Sequence, residues 1–225
     1  MSVLRPAVGA NRALLPGAQR TAELSTIGRG PAQPPPGHAG FDPELRIDWL
    51  GAHELTGELP GRLGLTFLPG KRGASIRYPG HVYRRDTAED LDAMRRAGVV
   101  LLVLLVEDRE LRRWGDPRIA ELAAGAGLDL ARFPIPDGHA ASSAAQMDDI
   151  QQLIDGARAR GDVAVACMGG VGRTGMVAAC ALVRAGQPAE RAIRRVRAIR
   201  HPTAVETAEQ ERFVRDYARG KAPPP

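Results

Sequence analysis

Residues 163–175 read VAVACMGGVGRTG. The stretch runs from a small apolar strand (Asp162 to Ala166) through a tight glycine-rich loop into a helix that begins near Arg173. Three of the five residues between Cys167 and Arg173 are glycine. Such a loop can turn successive backbone N–H groups toward one point. The helix behind it adds the positive end of its dipole at the same place. The pattern predicts a cradle for a dianion built by Met168, Gly169, Gly170, Val171, Gly172 and Arg173, with Cys167 at its floor and Arg173 at its rim. The same amides and dipole favour the thiolate of Cys167. A guanidinium holds two oxygens of such an anion in parallel, as a lysine does not. The Thr174 hydroxyl follows directly and is placed to donate to the sulfur, which matters most when Cys167 must leave an intermediate.

Outward from this stretch the chain alternates between strands and helices. Leu63 to Leu68, Val99 to Val106, Leu130 to Ile135 and Asp162 to Ala166 read as strands. The β-branched and leucine run at 99–106 suits a strand buried on both faces. Helical spacing covers Thr87–Ala97, Glu107–Trp114, Pro117–Ala126, Ser142–Arg160, Arg173–Ala185, Pro188–Ile199 and Glu206–Tyr217, with Asp86 or Thr87 available as a cap and Gly98 as a stop. A basic loop (Lys71, Arg72, Arg77) separates the first strand from the first helix. The expected class is α/β: a central, largely parallel sheet flanked by helices in a three-layer sandwich. Residues 1–40 hold six Gly and six Pro and read as a flexible leader. Residues 41–219 form one domain, and 220–225 read as a disordered tail.

In a parallel sheet the carboxyl ends of the strands lie on one side, where ligands bind. Phe133-Pro134-Ile135-Pro136-Asp137-Gly138 follows a strand, so Asp137 reaches the same rim as Cys167. Asp137 is the candidate general acid for a leaving alcohol and the base for the water that follows. Pro136 and Gly138 suit a hinged loop.

Composition bounds the alternatives. The chain of 225 residues is 44% hydrophobic, enough for a core. Its longest apolar run falls far short of the ~20 residues of a spanning helix, and the N-terminus lacks a secretory h-region. Cytoplasmic placement is expected. Two cysteines, Cys167 and Cys180, make no disulfide scaffold, and their spacing does not suit zinc. No metal or cofactor is called for. The net charge of +5 invites a nucleic-acid reading. However, residues 1–40 carry four Arg and one Glu, while the other 185 residues carry 27 basic and 25 acidic side chains. The folded part is nearly neutral, which argues against that partner.

Cys167-x5-Arg173-Thr174 resembles the signature of the cysteine-dependent protein tyrosine and dual-specificity phosphatases. Within that superfamily the chain is most similar to the cyclin-dependent-kinase-associated phosphatase group. The supporting stretches are Leu68-Pro69-Gly70, Arg84-Arg85-Asp86 leading to Leu91, Pro134 to Gly138, Cys167 to Thr174 with Val177 to Cys180, and Val205 to Gln210. The resemblance implies a dual-specificity-phosphatase-like fold and a metal-independent phosphomonoesterase, and hence a phosphorylated protein as the substrate. It also implies nucleophile Cys167, phosphate-binding Arg173, general acid Asp137, and a water-positioning loop containing Glu206 and Gln210. Two departures stand out. The family places glutamine where this chain has Glu206, a repulsive neighbour for a dianion unless it points away. The family's histidine before the nucleophile, which orders the loop, is Ala166 here. Arginine and alanine usage suggests a bacterial source.

Several residues have plainer readings. Cys180, among alanines on an apolar helix face, reads as core. His139 beside Asp137 reads as a solvated loop residue, and His53, His81 and His201 show no ligand spacing. Lys71 and Arg72 read as a solvated loop, and Arg191, Arg194, Arg195, Arg197 and Arg200 as the wet face of a helix. Three alternative functions stay open: a phosphoinositide or small-molecule phosphatase, a weakly active phosphate-binding module, and a rhodanese-like sulfur transferase. The absence of lysine between Cys167 and Arg173 lowers the first. Asp137 lowers the last.

Overall fold

The computed structural model describes residues 45–75 and 80–221. The expected leader, Arg77 and residues 222–225 lie outside them. Five strands form the main sheet in the order β1-β2-β7-β5-β6. They are β1 (Asp48–Leu50), β2 (Leu63–Phe67), β5 (Val99–Leu104), β6 (Asp129–Arg132) and β7 (Asp162–Cys167). The pairings β2–β7, β7–β5 and β5–β6 are parallel, and only the edge strand β1 runs antiparallel. The three parallel contacts place the carboxyl ends of β2, β7, β5 and β6 along one rim. Phe67 pairs in register with Cys167 there.

Two apolar layers cover the sheet, and the period of the strands sorts their side chains between them. Val163, Val165 and Cys167 face the layer built by α4 (Ala144–Arg158), α5 (Gly172–Arg184), α6 (Ala189–Ile199) and α7 (Ala208–Lys221). Ala164 and Ala166 face the opposite layer, with α1 (Thr87–Arg96), α2 (Asp108–Trp114) and α3 (Ile119–Gly125). β5 divides likewise, with Leu101 and Val103 on one side and Leu102 and Leu104 on the other. Helix α5 is the centre of the first layer, and every residue from Gly172 to Val183 is buried. That explains its apolar composition: it packs between the sheet and the helices α6 and α7.

Local signals account for the helix starts. Asp86 accepts from the N–H groups of Ala88 and Glu89 and caps α1. Ser143 accepts from Gln146 N–H and caps α4. Four expectations are corrected. The basic loop is a two-stranded hairpin, β3 (Arg72–Ala74) with β4 (Val82–Arg84), anchored where Gly73 packs on the Trp114 ring. The strand expected at 130–135 ends at Arg132, because pairing with β5 loses its regular register there: Phe133 N–H donates to Leu104 O and Ile135 N–H to the adjacent Leu105 O. The C-terminal helix begins at Ala208 rather than Glu206, and runs through Gly220 and Lys221, two residues into the expected tail. The arginines of α6 are not simply wet. Arg195 pairs with Glu54 at 2.6 Å, Arg197 donates to Ala204 O at 3.0 Å, and Arg200 is buried. Cys180 is fully buried, and burial pushes its thiol well above the ordinary value, as expected of a core residue.

One buried cation ties the entry of the domain to the sheet. Arg158, at the end of α4, is completely buried and donates to Gly61 O (2.9 Å) and Thr56 O (3.0 Å), with Asp155 at 3.2 Å. Removing it leaves those carbonyls without a donor in a dry site. Arg158→Met is therefore expected to cost about 3 kcal/mol in stability, measured by urea denaturation. An unchanged midpoint would show that water replaces the guanidinium.

Candidate active site

The site forms where β7 ends. Cys167 is its last residue and is 3% exposed. The chain then turns through Met168 to Val171 and enters α5 at Gly172. Gly170 makes the turn possible in two ways. Its φ is +65°, and a Cβ there would lie 2.3 Å from the Thr66 carbonyl oxygen of the neighbouring strand. Gly172 is less constrained, since a Cβ there would meet only side-chain ends, the Gln210 amide oxygen at 3.0 Å and a Glu206 carboxylate oxygen at 3.2 Å. Among the described residues, no backbone N–H from Met168 to Gly172 donates to an oxygen of the chain. The carbonyls behave oppositely. Gly169 O and Gly170 O accept from Arg200, and Val171 O accepts from the N–H groups of Gly175 and Val205. A turn whose carbonyls at 169–171 are engaged, and whose N–H groups meet no oxygen of the chain while that of Val171 faces the Cys167 sulfur, is built for an anion.

Arg173 is the most constrained charge at this end of the sheet, with its side chain 1% exposed. Glu110 from α2 takes it in a bidentate pair, with both N···O distances 2.7 Å. Ile135 O accepts from Nη1 at 2.8 Å, and Asp137 accepts from Nη2 at 2.7 Å. Nε–H is buried without a partner. Burial works against this charge, but Glu110, the Cys167 sulfur and Asp137 together more than offset it, so the guanidinium is held firmly protonated. Glu110 is the functional residue that sequence reading missed. Its signal was faint: an acid in the first turn of a short helix that follows a central strand at the rim. That carboxylate also accepts from Glu107 N–H, so the helix start and the arginine share one anchor.

Burial is also the largest influence on Cys167, and it opposes the thiolate. The Arg173 charge, the Thr174 hydroxyl and the backbone N–H groups of Thr174 and Val171 outweigh it and hold the thiol below its ordinary value. The Thr174 hydroxyl is near enough to favour the thiolate, yet it makes no well-aligned hydrogen bond and is buried without another partner. Asp137 is brought to the same place, its side chain 70% exposed and its carboxylate on Arg173.

The loop carrying Asp137 is held by the start of α7. Thr207 donates its hydroxyl to Gly138 O at 2.9 Å, and Gln210 donates its amide to His139 O at 3.1 Å. Glu209 accepts from Ala140 N–H at 3.0 Å and lies 3.2 Å from the His139 ring. His139 is exposed, as expected of a solvated loop residue, and also takes part in this tether. Gln210 is buried and has both ends engaged, because its oxygen accepts from Glu206 N–H at 2.9 Å. Glu206 does not turn away from the loop: its carboxylate is beside Gly172. Immediately before it, Val205 adopts φ +59°, the only non-glycine residue with positive φ among those described. A β-branched residue resists that conformation. Val205 accepts it where its side chain is buried and its N–H reaches Val171 O.

Residues 79–187 match the family model described as a polymorphic toxin system DSP-PTPase phosphatase. Pig cyclin-dependent kinase inhibitor 3 is 26% identical over 175 residues, covering 77% of this chain and 78% of that protein, and the human protein is 25% identical over the same span. A crystal structure of kinase associated phosphatase, with its catalytic-site cysteine replaced by serine, covers 80% of this chain and 98% of its own. The two agree at a TM-score of 0.69 with 23% identity, a likeness of fold. The active form of Tk-PTP is 29% identical at a TM-score of 0.57, over 71% of this chain and 92% of that one. These matches support a place for the chain in the dual-specificity phosphatase superfamily. It lies near the kinase-associated phosphatase group. The same matches support a phosphatase of the dual-specificity type, and the mixed central sheet flanked by helices matches that fold.

Among the described residues, no group of three or more His, Cys, Asp or Glu is placed to hold a metal ion, and no helix is long and apolar enough to cross a membrane. The opposite thiol shifts give a direct test. Iodoacetamide near neutral pH is expected to alkylate Cys167 and spare Cys180, read by peptide mass spectrometry, because only a thiolate reacts. Inorganic phosphate should protect Cys167. Equal labelling of both cysteines would contradict the electrostatics described above.

Proposed function

We propose that this phosphatase hydrolyses phosphomonoesters of proteins in two steps through a phosphocysteine. The observation that carries the reading is the turn 167–173, whose carbonyls at Gly169 to Val171 are engaged and whose N–H groups from Met168 to Gly172 meet no oxygen of the chain, with a thiol at its floor and a buried arginine at its rim. The Cys167 sulfur attacks phosphorus and the ester P–O bond breaks, with Asp137 giving its proton to the leaving oxygen. Water then attacks phosphorus, Asp137 takes a proton from it, and the P–S bond breaks to release phosphate and the thiolate. Thr174 stabilises that departing sulfur. The residues Met168 to Gly172 and Arg173 hold the phosphoryl oxygens. Asp137 must leave Nη2 of Arg173 when a phosphoryl oxygen takes that N–H, so substrate binding itself frees the acid. Glu206 and Gln210 frame the loop from which the hydrolytic water approaches.

A protein substrate is favoured over a lipid headgroup because no lysine lies between Cys167 and Arg173 to neutralise further phosphates. A reducing compartment such as the cytoplasm suits a mechanism that needs a free thiolate. The domain organisation we propose is a single catalytic unit over 41–219 behind a leader of 40 residues.

Hydrolysis of p-nitrophenyl phosphate is expected to persist in EDTA with a bell-shaped pH profile, and to vanish in Cys167→Ser. Asp137→Asn should slow phenyl phosphate about 100-fold or more, and p-nitrophenyl phosphate less, because the better leaving group needs less protonation. Activity retained by Cys167→Ser would refute the mechanism.

The description of the matched family favours a second setting for the same chemistry, as the effector of a toxin system. Expression in the cytosol of a test cell is then expected to arrest growth, with Cys167→Ser harmless. Normal growth with active enzyme would exclude that setting.

A further inference from the structure

An anion-binding turn works only while its carbonyls are held outward, since a carbonyl that swings inward opposes the anion. The two carbonyls at the tip of this turn share one donor. Arg200 Nε donates to Gly170 O at 2.8 Å and Nη2 to Gly169 O at 3.3 Å. Its remaining arm, Nη1, donates to Asp48 Oδ2 at 2.7 Å. The Arg200 side chain is 6% exposed and stands just beyond the end of α6, while Asp48 lies on the edge strand β1. Asp48 is itself fixed by Arg46, whose Nη2 donates to Oδ1 at 2.8 Å. Space at the turn is tight as well. A Cβ on Gly170 would lie 2.6 Å from Arg200 Nη2, so guanidinium and backbone are in direct contact.

We propose that Arg200, oriented by Asp48, is a positioning residue that holds the phosphate-binding turn in its anion-receiving conformation. It thereby takes over the ordering task for which this chain has no histidine at position 166. Ala166, buried among Leu104, Met94 and other core residues, has no side-chain donor with which to do this. A lysine at 200 would keep the charge but could not span two carbonyls and a carboxylate at once. The inference rests on the phosphatase reading, but its test does not depend on turnover.

The test compares the parent, Arg200→Lys and Asp48→Asn by three measurements: direct binding of orthovanadate, the pH at which Cys167 is half-maximally alkylated, and melting temperature. In Arg200→Lys, vanadate binding is expected to weaken about tenfold and the alkylation midpoint to rise by about one pH unit. Asp48→Asn should move both readings the same way by about threefold, and it serves if Arg200→Lys does not fold. A variant that melts lower but binds vanadate and alkylates like the parent would make Arg200 merely structural and overturn the proposal. A parent that alkylates and binds vanadate but hydrolyses no phosphomonoester would instead overturn the phosphatase reading and leave the positioning role standing.

Discussion

Arg173 is a charge that the fold buries almost completely, and much of the site follows from what that burial demands. A guanidinium at 1% exposure needs acceptors for its charge, and here both terminal nitrogens find them. Glu110 supplies two, Ile135 O a third, Asp137 a fourth and Leu105 O, at 3.4 Å, a fifth. These come from α2, from the residue that follows β5, and from the segment 135–137 that bears the candidate acid. One side chain on α5 therefore draws three separate stretches of chain toward the end of β7. Asp137 takes part through the most exposed of these contacts, with a side chain 70% exposed, and is the partner a phosphoryl oxygen can displace.

The sheet sets the direction in which this charge acts. Alternation along β7 sends Val163, Val165 and Cys167 to one face, and Ala164 and Ala166 to the other. The nucleophile thus comes off the strand on the side of α5, whose first turn carries Arg173 and Thr174. A second set of contacts governs the turn between them. Arg200 and the segment ending at Val205 hold its carbonyls, and α7 in turn tethers the Asp137 loop through Thr207, Glu209 and Gln210. Residues 200–210 therefore touch both halves of the site, the anion cradle and the acid. The left-handed Val205 lies at the joint, where burial and one hydrogen bond offset its strain.

Legibility varied with the range of the interaction. The segment 163–175 could be read alone because strand, glycine turn and helix start are consecutive and each has a local signature. Asp137 was legible through the rule that parallel strands share a carboxyl rim. Glu110 was not, because its partner is 63 residues away and its sequence context is an ordinary helix start. Arg200 was read as one arginine among five on a wet face, and only its burial separates it from Arg191 and Arg194. The β3–β4 hairpin escaped because its strands are three residues long and carry charge rather than alternating apolar residues.

The sequence by itself determined the parallel α/β class, the strand-turn-helix cradle, and the identities of Cys167, Arg173 and Asp137, because short-range backbone geometry and residue chemistry specify all of these. Only the tertiary structure decided which carboxylate neutralises Arg173, which cation holds the turn, how Gln210 spends its hydrogen bonds and where Glu206 points. Those contacts join residues 4 to 152 positions apart. Most of them depend on which side chains the fold removes from water, and no local pattern records that.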